Sequence, residues 1–464
     1  MTGKSKKKSE IGVLEKIAYG SGDLASNFIL VLSSTSVIFF YTEALKLNAA
    51  IIGLIMMASR LFDGVSDILM GFIMDKKKSK RGKARAWIYW LAIPISISMV
   101  LLFLVPNMGD IGKYIYVAIT YNLVTTVLYT AINIPYGAMT ALMTRDQGER
   151  MSINVFRMVM AQIGSVIINM ITIPLVNALG GTTHQTSWIL ASIIYGVIAC
   201  ALFYFTYFKC KERVHVENTG EDVQKMGFLK MAKICLKNEQ WLIIVGIWVV
   251  MSFGLGAGMS VNNYYAKLVL GNENIGGIIT SCTMIPAIIL MPALLPLVAK
   301  WGKRNMCMIG CLISLAGSIM MLVNPYDATW LIICNLIKGV GMTPLTGSIF
   351  AMVADTIEYG QWKTGTRTEG MLYSSTTFGA KIGAGVGTAI AMAMLSSAGF
   401  VEGAALAAQG EGVVPMLIQL VIWWPIIFTV IEFVLFCFYS LDKKYPKVME
   451  DLSEREAQAK NAKN

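Results

Sequence analysis

Apolar windows of about 20 residues recur along the whole chain, each long enough to cross a bilayer as a helix. They predict twelve spans, beginning near Ile17, Ala49, Trp87, Tyr114, Met151, Trp188, Glu239, Gly276, Met306, Thr329, Glu369 and Pro415. Proline interrupts several of them, at Pro94, Pro135, Pro174, Pro286, Pro344 and Pro425. Buried helices accept such breaks where neighbours or cavity water take up the freed carbonyls. The longest polar interval, 209–238, divides the spans into two sets of six. The expected organisation is therefore all-α and membrane-embedded: a six-helix bundle over 1–208, a linker over 209–238, a second six-helix bundle over 239–440 and a tail over 441–464.

The second span departs from the apolar pattern. Residues 51–74 carry Arg60, Asp63 and Asp67, and each charge near the centre of a span costs about 2.5–3.5 kcal/mol unless compensated. Spacings of three, four and seven residues put all three side chains on one helical face, so that face is expected to look into the protein. Two close carboxylates with a basic neighbour make a candidate site for a cation or proton. The competing reading is a buried structural ion pair.

Composition agrees with the membrane assignment: 55% of the 464 residues are hydrophobic and 14% charged, with a mean hydropathy of +0.61. The net charge of +11 does not point to nucleic acid, because 32 of the 39 Lys and Arg fall on one side of the expected topology. By the positive-inside rule that side, with both termini, is cytoplasmic, and the expected location is the cell membrane. The basic run 76–85 reads first as a topology determinant and second as a contact for anionic lipid. Four basic residues, Arg60, Arg157, Lys338 and Lys381, lie within spans. His184 and His215 fall in loops, and Cys307 and Cys311, four apart without histidine support, read as packing residues rather than metal ligands. No segment between spans is long enough for an enzymatic domain and no phosphate loop is present, so uphill transport would draw on an ion gradient. No cofactor is expected beyond the coupling cation.

A weak internal repeat, Gly71 to Lys83 after the second span and Pro296 to Arg304 after the eighth, resembles the basic loops of the major facilitator superfamily. The segment Ala354-Asp-Thr-Ile-Glu-Tyr-Gly-Gln-Trp-Lys-Thr-Gly-Thr-Arg-Thr-Glu-Gly370 resembles the signature of the glycoside-pentoside-hexuronide:cation symporters, the family of the melibiose carrier. Six further matches occur in register: Tyr19-Gly-Ser-Gly-Asp23 with Asn27, Phe39-Phe-Tyr-Thr-Glu43, Arg60-Leu-Phe-Asp-Gly-Val-Ser-Asp67, Arg81-Gly-Lys-Ala-Arg-Ala-Trp87, Asn133-Ile-Pro-Tyr136 and Thr377-Phe-Gly-Ala-Lys381.

The resemblance implies a major facilitator fold and a symporter, functional as a monomer, that couples sugar uptake to Na+, Li+ or H+ by alternating access. It makes Asp63 and Asp67 the cation carboxylates, assisted by Ser66 and Thr130, with Lys381 as their ionic partner. For the sugar it points to Asn27 and Asn133, with Tyr129 and Arg157 nearby. The melibiose carrier has acids at both asparagine positions and tryptophan where this chain has Gly137, so stacking on a sugar ring must come from elsewhere, and an anionic sugar beside Arg157 becomes less costly. Asp75, Arg81, Arg85, Asp355, Glu358, Lys363 and Arg367 are expected to form ion pairs between the two bundles that hold an inner gate shut in the outward-facing state, the competing reading being solvated loops. Lys338 and Asp23 have no assigned role. A lipid or lysolipid:cation symporter of the same fold is the alternative function.

Overall fold

The computed structural model describes residues 11–76, 81–82, 84–144, 147–213, 235–365 and 369–461, and every long element among them is a helix. Nine of these helical segments are long and apolar enough to span a membrane among the described residues. Each expected span start falls within four residues of the start of a helix. The chain divides into two compact units, 1–218 with 401–408, and 219–400 with 409–464.

In the first unit, α1 (Val13–Val31) continues through a π-helical turn, Leu32–Ser36, into α2 (Val37–Glu43). The cause is local. The hydroxyls of Ser33, Ser34 and Thr35 donate to the carbonyls of Ile29, Leu30 and Val31 at 2.7, 2.7 and 2.8 Å, competing with the backbone ladder where it widens. Helices α3 (Ala49–Lys76), α4 (Arg85–Leu101) and α5 (Asp110–Asn122) follow. A second π turn, Leu123–Leu128, joins α5 to α6 (Tyr129–Met143), and α7 (Gln147–Ala178) and α8 (Gln185–Lys209) complete the set. Pro94, Pro135 and Pro174 lie inside α4, α6 and α7 without ending them. Phe40, Phe103 and Trp188 pack mutually, with ring centroids 5.1–5.7 Å apart. The segment 401–408 belongs to this unit through Glu402, whose carboxylate accepts the Ala49 N–H at 3.0 Å and so caps the start of α3.

The second unit comprises α9 (Glu239–Leu268), α10 (Gly276–Trp301), α11 (Lys303–Met320), α12 (Ala328–Thr364), α13 (Glu369–Ser397), α14 (Val413–Ile418), α15 (Trp424–Phe438) and α16 (Leu441–Asn461). A third π turn, Gln419–Trp423, separates α14 from α15 and leaves Pro425 in the first turn of α15, where its missing N–H costs nothing. Helices α9 and α13 approach until glycine is obligatory: a Cβ on Gly256 would stand 2.1 Å from the Ala384 carbonyl oxygen, and one on Gly387 2.2 Å from that of Phe253. The tail 441–464 forms α16 as far as Asn461 and docks on its own unit, where Trp362 donates to Asp451 at 2.8 Å and Tyr445 donates to Glu358. Cys307 and Cys311 are buried among Ile244, Trp248 and Leu345 as packing residues. His184 precedes α8 as its N-cap residue, and His215 lies outside the described residues.

Candidate functional site

The charged face of α3 is oriented by the helices packed on it. Asp63 is 3% exposed, and its two oxygens are divided between partners. Oδ2 faces Arg60 Nη1 at 3.3 Å, while Oδ1 accepts from the Thr126 hydroxyl at 2.6 Å. Arg60 is held from the other side by the Ser34 hydroxyl, 3.2 Å from Nη2. One turn further along α3, Asp67 Oδ1 accepts from Thr130 at 3.0 Å, and Thr130 in turn receives the Ser66 hydroxyl at 3.2 Å. Ser66 also lies 3.0 Å from the Asp63 carbonyl oxygen. The four residues expected from the sequence, Asp63, Ser66, Asp67 and Thr130, thus come together in one hydrogen-bonded cluster on α3 and α6.

Thr126 joins the cluster without having been singled out by the sequence. It sits in the π turn Leu123–Leu128, and its register toward Asp63 depends on that turn; the signal available in the sequence is its place four residues before Thr130, on the same face. Ser34, within the other π turn of this unit, is a second such addition. Chemically, the cluster is a nest of hard oxygen atoms of the kind that suits alkali and other hard cations rather than soft metals. Arg60 faces one of the two aspartates, Asp63, at 3.3 Å. Among the described residues no group of three or more His, Cys, Asp and Glu gathers into a transition-metal site.

A second polar cluster in the same unit contains the expected sugar residues. Arg157 Nε lies 3.0 Å from Asp23 Oδ2, with the guanidinium 5.0 Å from the centre of the Tyr136 ring. Tyr136 is itself fixed. It stacks on Tyr19 at 4.7 Å, each hydroxyl donates to the other residue's carbonyl, at 2.5 and 3.0 Å, and Tyr19 shares a 2.6 Å bond with Thr140. Asn27 donates to the Asp23 carbonyl at 2.8 Å and accepts from Ser165 at 3.1 Å. Asn133 Oδ1 is buried with no hydrogen-bond partner among the described residues. A buried carbonyl of that kind costs about 1–3 kcal/mol while it stays unsatisfied, so it marks a place where a ligand hydroxyl or water is favoured. Gly137 lies one turn beyond it, and a Cβ there would be 3.7 Å from Arg157 Nη1. Tyr129, half-buried, opens α6.

Asp23, which has no role in the sequence pattern, changes the electrostatics of this cluster. The Arg157 charge has a carboxylate partner in Asp23.

The expected gate residues have partners within their own units. Asp355 pairs with Lys303 at 2.5 Å, Glu358 accepts from Tyr445, and Lys363 pairs with Glu239. Arg85 donates to the Tyr207 carbonyl at 2.8 Å and lies over that ring, while Arg81 stacks over Tyr89 at 4.1 Å. Lys303 belongs to the basic loop of the internal repeat, but nothing in the sequence pairs it, Glu239 or Tyr207 with these residues. Lys381 lies on α13 in the second unit. The Asp75 side chain and Arg367 lie outside the described residues.

Residues 18–443 match the family described as MFS/sugar transport protein. An isoprimeverose transporter of Lactiplantibacillus pentosus is 30% identical over 449 residues, covering 96% of this chain and 92% of its own. An inner membrane symporter of Escherichia coli strain K12 is 29% identical, covering 96% of each chain. Among solved structures, a D-xylose-proton symporter superposes with a TM-score of 0.63 at 12% identity, over 93% of this chain and 98% of that one, a likeness of fold alone. The sequence motifs, the all-helical fold and these matches together make the chain a membrane transporter, not an enzyme, belonging to the MFS/sugar transport protein family and its glycoside-pentoside-hexuronide:cation symporter group.

Proposed function

We propose that the protein is a secondary active symporter that couples uptake of a sugar, a glycoside, pentoside or hexuronide, to a monovalent cation, Na+, Li+ or H+. The observation that carries this reading is the oxygen cluster of Asp63, Asp67, Ser66, Thr126 and Thr130 around one arginine. Its hard oxygen atoms suit an alkali cation. The names of the relatives, a transporter of isoprimeverose and an inner membrane symporter, support the direction of the reading.

Twelve spans in two six-helix bundles with both termini cytoplasmic complete the proposal, substrate being exposed to each side alternately. Asn27 and Asn133 hold sugar hydroxyls, the open Asn133 carbonyl oxygen accepting one of them. With Arg157 paired to Asp23, a neutral glycoside or pentoside fits this site better than a hexuronide. The test is a thermal-shift screen of the purified protein against isoprimeverose, neutral methyl glycosides, pentosides and uronides, with and without NaCl. Stabilisation by a neutral sugar that grows with sodium, or with lowered pH, supports the reading. No response to any sugar under any ionic condition counts against it.

A further inference from the structure

Lys338 on α12 and Glu432 on α15 stand in the wall of a partly open recess that lies wholly within the second unit, with about 810 Å³ of empty space when the solvent at its mouth is included. Among the described residues, neither is joined to a partner by a hydrogen bond or by an ion pair within 4 Å, although each lies in the field of the other. Opposite charges at this depth are costly unless polar matter bridges them. A hydroxyl is suited to that place, since it donates to a carboxylate and accepts from an ammonium at once.

The rest of the wall has the same character. Asn262 spends its amide nitrogen on Thr280, at 2.9 Å, and Asn335 spends its own on the Leu331 carbonyl, also at 2.9 Å. Each leaves its amide oxygen to accept from a ligand. Phe428 adds a half-buried aromatic ring to the wall, held edge-on to Phe253 at 5.0 Å and Trp424 at 5.6 Å. The sugar cluster of the first unit has no such platform at Gly137.

We propose that this recess is a second sugar-binding subsite, taking a neutral pyranose ring with its apolar face on Phe428 and its hydroxyls between Lys338 and Glu432. The proposal rests on the sugar-transport reading and deepens it, giving Lys338 a role that the sequence did not supply. Removing one charged hydrogen bond, or the aromatic ring under the sugar, should weaken binding about tenfold, and removing both charges together more than tenfold.

The experiment is calorimetric titration of the purified full-length protein with isoprimeverose, methyl β-xyloside and methyl β-glucoside. Wild type is compared with Phe428→Ala and with the double variant Lys338→Met/Glu432→Leu, which removes both charges and leaves neither unpaired. The expected result is sugar binding at least tenfold weaker in both variants, while stabilisation by sodium alone stays at the wild-type level. Wild-type affinity in the folded double variant would make the pair structural and overturn the proposal, as would a fall in sodium stabilisation that parallels the fall in sugar binding. Should the double variant fail to fold, Phe428→Leu, which keeps apolar bulk and removes the ring, decides by the same tenfold criterion. If wild type binds none of these sugars, the transport reading itself falls, and the subsite with it.

Discussion

Asp63 and Asp67 are four residues apart on one helix, and the structure predicts that loss of the Asp63 charge destabilises the fold through Arg60. Asp63 faces Arg60 at 3.3 Å and Thr126 at 2.6 Å and is almost wholly buried. Asp63→Asn leaves the arginine with the Ser34 hydroxyl at 3.2 Å as its remaining described partner. Removing one member of a buried pair costs about 3–5 kcal/mol. Asp67 accepts from Thr130 at 3.0 Å, and an amide oxygen still accepts that hydrogen, so this bond survives Asp67→Asn. Thermal unfolding of wild type and the purified variants in detergent, without added sodium, measures the loss. The double variant Arg60→Gln/Asp63→Asn supplies the control, because it removes both charges and should recover at least half of the Asp63→Asn loss. An Asp63→Asn variant as stable as wild type, or a double variant no more stable than Asp63→Asn, would refute the role given to Arg60.

Thr126→Val keeps the side-chain volume and removes the hydroxyl on Asp63; sodium or lithium binding, read by stabilisation against ion concentration, should weaken about tenfold, and undiminished affinity would exclude Thr126 from the site. Asp23→Asn releases Arg157 from its 3.0 Å partner and should raise the affinity ratio of a uronide to its neutral sugar by about tenfold or more, whereas an unchanged ratio would place Arg157 away from the sugar. Asn133→Asp should act in the opposite sense, penalising the uronide, with paired competition assays as the check. Gly256→Ala forces a Cβ to within 2.1 Å of a backbone oxygen, whereas Gly258→Ala meets nothing within 4 Å; the first should strongly lower the yield of folded protein and the second leave it unchanged, and equal yields would contradict the close approach of α9 and α13.

What the sequence disclosed and what it withheld divide along a physical line. Arg60, Asp63 and Asp67 lie within eight positions of one helix, so helical periodicity alone places them on one face, and Ser66 and Thr130 followed from the family resemblance. Thr126 escaped because its one signal, a place four residues before Thr130, does not show that it faces Asp63 on another helix. Asp23 and Arg157 are 134 positions apart, and no local pattern reveals that α1 and α7 bring them together. The same holds for Lys303 with Asp355 and for Lys338 with Glu432, whose proximity depends on helix packing. The apolar windows located the helices well because length and hydropathy are local properties. They could not say that Glu402, in a loop far along the chain, caps α3.

Accumulation of sugar in proteoliposomes tests the central claim most directly. Wild type, Asp63→Asn and Asp67→Asn would be reconstituted and offered a labelled sugar from the binding screen under an inward gradient of Na+ and, separately, of H+. One of these gradients should drive wild type to concentrate the sugar above equilibrium, both variants should lose this accumulation, and equilibrium exchange should persist in Asp67→Asn. Concentration of the sugar by both carboxylate variants at the wild-type level, or no gradient-driven uptake by wild type, would contradict it.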